Sequence, residues 1–485
     1  MNIPFTGRIL LLGCGSVSRC LQPLLLRHLT MDFSRLTIMD YEDLRHTIPA
    51  TLAAGARYVQ ARITPETLDA LLGEHLSAGD LLIDLAWNID AGDIIQWCHD
   101  HDVLYLNTSV EKWDPYDDIE HTPPTERTLY VRHLALRKRA ATWAEPGPTA
   151  VIEHGANPGL VSHWLKRGLE DMTRALLHED SLEGHRRAAL ERALAAEDYA
   201  RMAMLTGVRT IHISERDTQI AGQPKAVDEF VNTWSVEGIY EEGIAPAEMG
   251  WGTHERRLPP GAQRHLSGPG NQICLSQMGV NTYVRSWVPM GEIIGMVIRH
   301  GEAFTISDYL TVWQDDRPLY RPTVHYAYLP TDAAIASLHE LKMNNYDLQS
   351  KVRIMNDEII DGKDELGVLL LGHDLNGWWT GSQLDIHEAR RLVPGQNATT
   401  LQVAAGVLGA LFWMLRNPRQ GLCTPERLPH REVLEVASPY LGPQVSLQTD
   451  WTPLTNSFHF DAFARFGTPR PLPEDIWQFE TFLLR

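Results

Sequence analysis

Short apolar runs alternating with amphipathic stretches mark the first third of the chain. Arg8-Ile9-Leu10-Leu11-Leu12-Gly13 is an apolar run closed by glycine, the pattern of a strand buried on both faces of a parallel sheet. Over 16–29, Leu21, Leu24, Leu25 and Leu29 recur at helical spacing. The alternation then repeats. Leu36-Thr37-Ile38-Met39 ends at Asp40, and a strand over 57–63 precedes a helix over 65–76 with Pro65 near its first turn. Strands over 81–85 and 103–107 flank a helix over 92–101. This βα order predicts an α/β fold with a Rossmann doubly wound parallel sheet. A helix over 128–143 and a strand over 149–153 close this first domain, placed at 1–153.

Beyond residue 153 the periods mix. His154-Gly155-Ala156-Asn157-Pro158-Gly159 reads as a polar turn entering a helix near Pro158, and residues 180–201 as a charged surface helix. Thr210-Ile211-His212-Ile213-Ser214-Glu215 alternates as a strand. A second, α+β domain is therefore expected over 154–390. Asn397 or Thr399 can cap a mostly apolar helix over 401–415, which should be buried against the cofactor domain or between domains. The Pro-rich remainder reads as a wrap, with 391–485 packing back on the first domain.

Length and composition agree with this division. A chain of 485 residues exceeds one ordinary core, and 44% hydrophobic with 22% charged residues is globular. No apolar run of membrane-spanning length is present, and the N-terminus lacks a secretory pattern. Cysteines at 14, 20, 98, 274 and 423 form no CxxC pair, so neither a disulfide framework nor a metal site is expected and a reducing cytoplasm fits. A net charge of -19 argues against nucleic acid and allows an acidic pocket for a cation.

Chemistry enters at the first turn, Gly13-Cys14-Gly15-Ser16-Val17-Ser18, a GxGxxG-type fingerprint with serine at the third glycine. Gly13 permits the tight turn and Gly15 a close backbone approach to a pyrophosphate at the helix N-terminus. Asp40 can accept from a ribose 2′-hydroxyl and would repel a 2′-phosphate, which favours NAD. Gly13, Gly15, Ser16, Val17, Asp40, Leu85, Ala86 and Thr108 are the expected cofactor contacts. Glu215, Asp217, Glu237, Glu241 and Glu242 cluster within 28 residues around Trp234. Carboxylates at both ends and an aromatic middle suit a diamine, since an aromatic face attracts ammonium by about 0.5–2 kcal/mol. His300 and Glu302 alternate along an apparent strand, where the carboxylate can orient a proton-transfer imidazole. Asp361 to Gly367 reads as a turn with Asp364 at the mouth of a buried strand.

Several uncommon strings resemble bacterial homospermidine synthases, in the saccharopine-dehydrogenase-like superfamily. They are Gly155-Ala156-Asn157-Pro158-Gly159, Glu215-Arg216-Asp217-Thr218-Gln219, Val231-Asn232-Thr233-Trp234-Ser235-Val236-Glu237-Gly238, the segments over 320–328 and 364–370, and Tyr440-Leu441-Gly442-Pro443 with Thr449-Asp450-Trp451-Thr452-Pro453-Leu454. The resemblance covers nearly the whole chain. It implies condensation of two putrescines, or spermidine with putrescine, through amine oxidation, imine exchange and re-reduction on a retained NAD, in a homodimer. It also implies a second domain for substrate binding and dimerisation, a place for Asn157 near the cofactor, catalytic roles for Asn157, Glu215, Trp234, His300 and Asp364, and substrate contacts from Glu111, Glu242 and Glu302; Glu237, from the acidic cluster, is a further expected substrate contact. Asn88 departs from the family, which can carry an acid there. The competing expectation is a saccharopine- or carboxyspermidine-type dehydrogenase with net NAD(P) turnover. That enzyme needs an arginine clamp, for which Arg216, Arg285 and Arg299 are candidates; a non-catalytic polyamine sensor is a third.

Overall fold

The computed structural model describes residues 1–115, 119–455, 462, 465–466 and 470–484; parts of the expected C-terminal wrap thus lie outside the described residues. Two sheets organise it. The first has seven parallel strands. Its chain-order members are β1 (Ile9–Leu12), β2 (Leu36–Asp40), β3 (Arg57–Gln60), β4 (Leu81–Asp84), β5 (Leu104–Asn107) and β6 (Ala150–Val151). They lie in the order β3-β2-β1-β4-β5-β6, and the short strand Leu422–Cys423 adds outside β6. The order reverses at β1, so a crevice opens beyond the carboxyl ends of β1 and β4. The residues of β1 are all buried, as expected of a strand covered on both faces.

Helix α1 (Ser16–His28) follows β1, and α2 (Leu129–Ala140) packs on the helix Ala91–Asp100. The strand expected over 57–63 stops at Gln60, and the helix expected from Pro65 begins at Leu68.

The second sheet is mixed and ten-stranded. Its centre is β7 (Thr210–Asp217), parallel to β8 (Thr323–Leu329) on one side and antiparallel to β9 (Lys363–His373) on the other. Next come β10 (Asn376–Asp385) and β11 (Gln444–Thr449). Helix α3 (Leu160–Leu177) packs on β9 and β10, while α4 (Val236–Ile244) and α5 (Gly301–Tyr309) carry site residues. Residues 180–201 contain Gly184–Ala195 and the start of a second helix, Tyr199–Thr206, rather than one helix.

Helix α6 (Ala398–Arg416) joins the two sheets. It packs on α1 and also touches β5, β9 and β10. Its length and apolarity would suffice to cross a membrane, but 89% of the apolar window is buried inside the protein. Asn397 is its cap, accepting from Thr400 N at 2.8 Å; Thr399 points instead to acids of β7 and β9. Gly406 on α6 lies where a Cβ would come within 1.9 Å of the Gly155 carbonyl oxygen. That glycine lets the 155–159 loop press against the helix.

Candidate functional site

Gly13 occupies the left-handed region at φ +85°, and a Cβ there would sit 2.7 Å from the Leu85 carbonyl. The turn is therefore fixed by glycine. Gly15 is exposed, with open space where a side chain would project. No side chain caps α1, so its first N–H groups and dipole remain available to an anion. Asp40 accepts from Cys14 N at 2.7 Å and from Glu42 N at 3.0 Å, which aims its carboxylate across the turn. Leu85, Ala86 and Thr108, at the ends of β4 and β5, are half-buried along the same crevice. Ser16 is buried and Val17 half-buried in the first turn of α1. Ser18 is also buried, its hydroxyl accepting from Gln22 Nε2 at 3.3 Å. The serine that replaces the third glycine thus packs inside the helix–sheet interface.

Three carboxyls meet at the end of β7. Asp217 stands opposite Asp364 in the β7–β9 ladder, and Glu215 lies two residues away on the same face of β7. Asp364 is fully buried inside β9, which begins at Lys363; the expected turn ends one residue before it. Thr399 donates to Asp364 at 2.7 Å and Thr233 to Asp217 at 2.6 Å. Asn157 donates to Glu215 Oε2 at 2.6 Å, and the Tyr326 hydroxyl donates to the same oxygen. Among the described residues no lysine or arginine forms an ion pair with any of the three. Burial, with Asp217 adding repulsion, pushes Glu215 up to about 7; burial, Glu215 and Asp217 push Asp364 well above the carboxylate range. Such a cluster favours an incoming cation, which stabilises the ionised forms.

An aromatic wall completes this end. Trp234 Nε1 donates to the Tyr328 hydroxyl at 2.9 Å, and Tyr328 stacks on Tyr326 with centroids 5.3 Å apart. A Cβ on Gly238 would meet the Trp234 ring at 2.7 Å, so this glycine of α4 lets the indole lie against the helix.

His300 and Glu302 do not alternate along a strand. The strand before them ends at Met296; His300 is the N-cap of α5 and Glu302 lies in its first turn. The two are nonetheless neighbours, with His300 Nδ1 3.7 Å from Glu302 Oε2. Glu302 Oε1 accepts from Gly159 N (3.0 Å), Ser162 N (3.2 Å) and Ser162 Oγ (2.6 Å). Burial lowers His300 to about 4, and burial together with Glu426 raises Glu302 to about 8. His300 also packs against Tyr326, centroids 4.8 Å apart, which links it to the Glu215 cluster. A Cβ on Gly301 would fall 1.9 Å from the Glu153 carboxylate, itself held by His133 at 2.7 Å.

A cleft joins these groups to the first sheet, lined by Thr108, Glu111, Glu153, Glu242, Arg299 and His300 among others. Burial, then Glu241, raises Glu111 to about 8. Burial lifts Glu242 well above the usual range, with Glu241, Glu111 and Glu215 adding to it against Arg299. Glu241 has a different position. Arg132 donates to it at 2.9 Å, Arg299 also pairs with it, and Trp87 Nε1 donates at 3.1 Å. Burial opposes its charge, but the two guanidinium groups hold it at about 2. Arg285 likewise pairs with Glu292 at 2.9 Å. Two of the three clamp candidates are thus committed to acids of the protein.

The structure brings together Asn157, Glu215, Trp234, His300, Glu302 and Asp364, with Glu111 and Glu242 along the cleft. Glu237 faces elsewhere: Ser235 donates to it at 3.2 Å, and its charge acts on Tyr41, beside Asp40. Asn88 and Asp114 exchange hydrogen bonds at 3.1 and 2.7 Å, joining two loops near Glu111. Sequence reasoning did not single out Tyr326, Tyr328, Glu153 or Glu426, and it read Thr399 only as a helix-cap candidate. Tyr326 and Tyr328 carried a signal, since they share one face of an alternating strand.

Comparison with known proteins agrees with this architecture. The family model described as saccharopine dehydrogenase NADP binding domain matches residues 9–151, and that described as saccharopine dehydrogenase C-terminal domain matches 155–445. A homospermidine synthase of Blastochloris viridis is 42% identical across 99% of this chain and 98% of its own. Another, from Mesorhizobium japonicum, is 38% identical across 99% and 97%. The crystal structure of the Legionella pneumophila homospermidine synthase in complex with NAD matches with a TM-score of 0.86 at 36% identity, covering 100% of this chain and 99% of that one. With full-length identity, shared fold and a dinucleotide-type turn beside an acidic, aromatic cleft, this chain belongs to the homospermidine synthase family.

Proposed function

We propose that the protein condenses two putrescines to homospermidine with release of ammonia, or spermidine and putrescine to homospermidine with release of diaminopropane. The observation that carries this reading is the buried Glu215–Asp217–Asp364 cluster, which among the described residues has no protein cation paired with it and lies beside the Trp234–Tyr328 wall. The first sheet serves the cofactor and the second the amines. When bound, NAD accepts hydride from the amine-bearing carbon and returns it to the imine formed with the second amine.

The residues of the chain do the rest. The N–H groups at the start of α1 hold the pyrophosphate, and Asp40 selects an unphosphorylated ribose. Glu215, aligned by Asn157 and Tyr326, receives the ammonium end, and Asp364 and Asp217 compensate its charge. Glu111 and Glu242 receive the distal amine. His300, neutral because it is buried, accepts the proton that the reacting amine must lose. The Trp234 face stabilises the cationic C=N group where charge develops. Five free, buried cysteines fit a reducing cytoplasm. Exposed Val352 on the strand Lys351–Ile354, Val227 in the turn before its partner strand Glu229–Asn232, and Met343 at the end of the adjoining helix Asp332–Met343 support a homodimer.

Mass analysis of products from putrescine with substoichiometric NAD tests the reading. The expected result is many homospermidine and ammonia molecules per NAD. Stoichiometric NADH without triamine would overturn it.

A further inference from the structure

Behind His300 lies a second, wholly buried acid. Glu426, in the short turn Pro425–Arg427 that follows α6, is 2% exposed, while Glu302 is 0% exposed. Ser162 Oγ bridges them, 2.6 Å from Glu302 Oε1 and 2.9 Å from Glu426 Oε1. Thr305 Oγ1 adds a contact to Glu426 Oε1 at 2.7 Å. The serine hydroxyl owns one proton and can donate it to only one of the two carboxyls. The other contact is a hydrogen bond only if that carboxyl carries a proton and donates to Ser162 Oγ.

Among the described residues the compensation is slight, a Coulombic attraction between Lys166 and Glu426 without a direct ion pair. Lys166 is the cation facing Glu426, but its ammonium donates to the Glu426 and Leu428 carbonyls at 2.6 and 2.8 Å. Glu153 faces Glu302 and is itself paired with His133; Tyr309 faces Glu426. Glu302 Oε2 and Glu426 Oε2 are buried without a hydrogen-bond partner among the described residues, and the His300 ring interacts with the Asn157 backbone and the Glu153 charge. Two buried carboxylates this close, joined by one hydroxyl, cannot both ionise without a large penalty.

We propose that Glu302 and Glu426 share one proton through Ser162, and that this shared proton sets whether Glu302 can act as proton acceptor behind His300. The inference rests on the reading of His300 as the group that deprotonates the amine. At rest the shared proton lies on Glu302 and Ser162 donates to ionised Glu426, whose charge helps to raise Glu302. In the working state the proton has passed along Ser162, so that Glu426 carries one and donates to Ser162, which donates to ionised Glu302, whose Oε1 also holds the two backbone N–H groups. The amine proton goes to His300 Nε2, and the Nδ1 proton passes to Glu302 Oε2. Both return by the reverse path when the imine is reduced, so no proton leaves the site. An imidazole held near 4 is a weak base alone; an anionic acceptor on its far nitrogen is what makes it competent. Ser162 and Glu426 are positioning residues, since neither faces the cleft.

The test uses Glu426→Gln and Ser162→Ala in the full-length protein. The first readout is the 15N signal of His300 as a function of pH in the cofactor-free protein, assigned by comparison with His300→Gln. The second is the pH profile of NADH formation in a single turnover with putrescine. In the wild type both midpoints should lie near 8, where Glu302 ionises. Glu426→Gln removes a like charge and should move both midpoints down by about one pH unit or more. Ser162→Ala removes a donor to the ionised form and should move them up, and it keeps both carboxyls if Glu426→Gln fails to fold. Midpoints unchanged in Ser162→Ala, or an equal loss of rate at every pH, would overturn the shared proton. If the wild type forms neither NADH nor triamine while the His300 titration shifts as stated, the functional reading fails and the shared proton stands.

Discussion

Replacing Glu241 by glutamine should destabilise the protein by about 3–5 kcal/mol. The magnitude comes from the triad Arg132–Glu241–Arg299, in which the carboxylate is 2% exposed and the arginine side chains 6% and 4%. Glutamine keeps the shape but removes the only charge that both guanidinium groups share in this contact. The value of about 2 for Glu241 against an ordinary 4.5 gives an independent scale. A shift of that size corresponds to about 3 kcal/mol of preference for the ionised form in the folded state. Because the folded value lies below the unfolded one, this contribution is complete above about 4.5 and is lost as pH falls towards 2. The assay is urea unfolding of both proteins between pH 5.5 and 8, followed by tryptophan fluorescence. The difference should be largest near pH 5.5 and narrow towards 8, because the Glu241 charge also raises Glu111 to about 8 and the variant relieves part of that cost. A loss below about 1 kcal/mol, or one that grows with pH between 6 and 8, would refute the argument that the triad is fully charged and desolvated.

Trp234→Ala should leave the fold intact, because the half-buried indole makes one hydrogen bond, and should lower kcat by about a hundredfold; a loss of about 2–3 kcal/mol of transition-state stabilisation is at stake. Unchanged kcat would remove the ring from the mechanism. Glu215→Gln should weaken putrescine use at least tenfold while NAD affinity, read by calorimetry, stays within twofold. Equal loss of both would place Glu215 at the cofactor. Gly301→Ala should cost about 1–3 kcal/mol and reduce activity, since the new methyl displaces the Glu153 carboxylate; wild-type stability in chemical unfolding would contradict the packing. Asp40→Ala should raise NADP use relative to NAD, measured by competitive binding, and an unchanged preference would show that another group selects the ribose.

The first sheet was legible because parallel strands buried on both faces leave continuous apolar runs that end in turn residues, as at Leu12–Gly13 and Met39–Asp40. Even the departure at Ser18 was readable as a small residue in a packed interface. The second sheet was less so, and for a physical reason. Reading charged residues as solvated placed Asp364 in a turn, whereas β9 buries it beside Glu365 and Asp217. Polar strands of this kind are stable only through partners far away in sequence, such as Thr399 and Asn157, which no local period reveals. His300-Gly301-Glu302 has the spacing of a strand and the composition of a helix start, so the fold alone decides between them. Glu426 gave no local signal; its significance comes from Ser162, 264 residues earlier.

The strand Leu422–Cys423 has a consequence for how the molecule is made. It pairs with Ala150–Val151 and supplies the outer edge of a sheet whose other strands end by residue 151. Helix α6, which covers α1, is also encoded after most of the second sheet. On the ribosome the cofactor-binding sheet therefore emerges with an open edge and an uncovered helix, and it waits for some 270 further residues before both are closed. A fragment ending near residue 153 would keep the glycine turn yet expose that edge to pairing with other chains. Completion of the cofactor site is in this way tied to completion of the whole polypeptide.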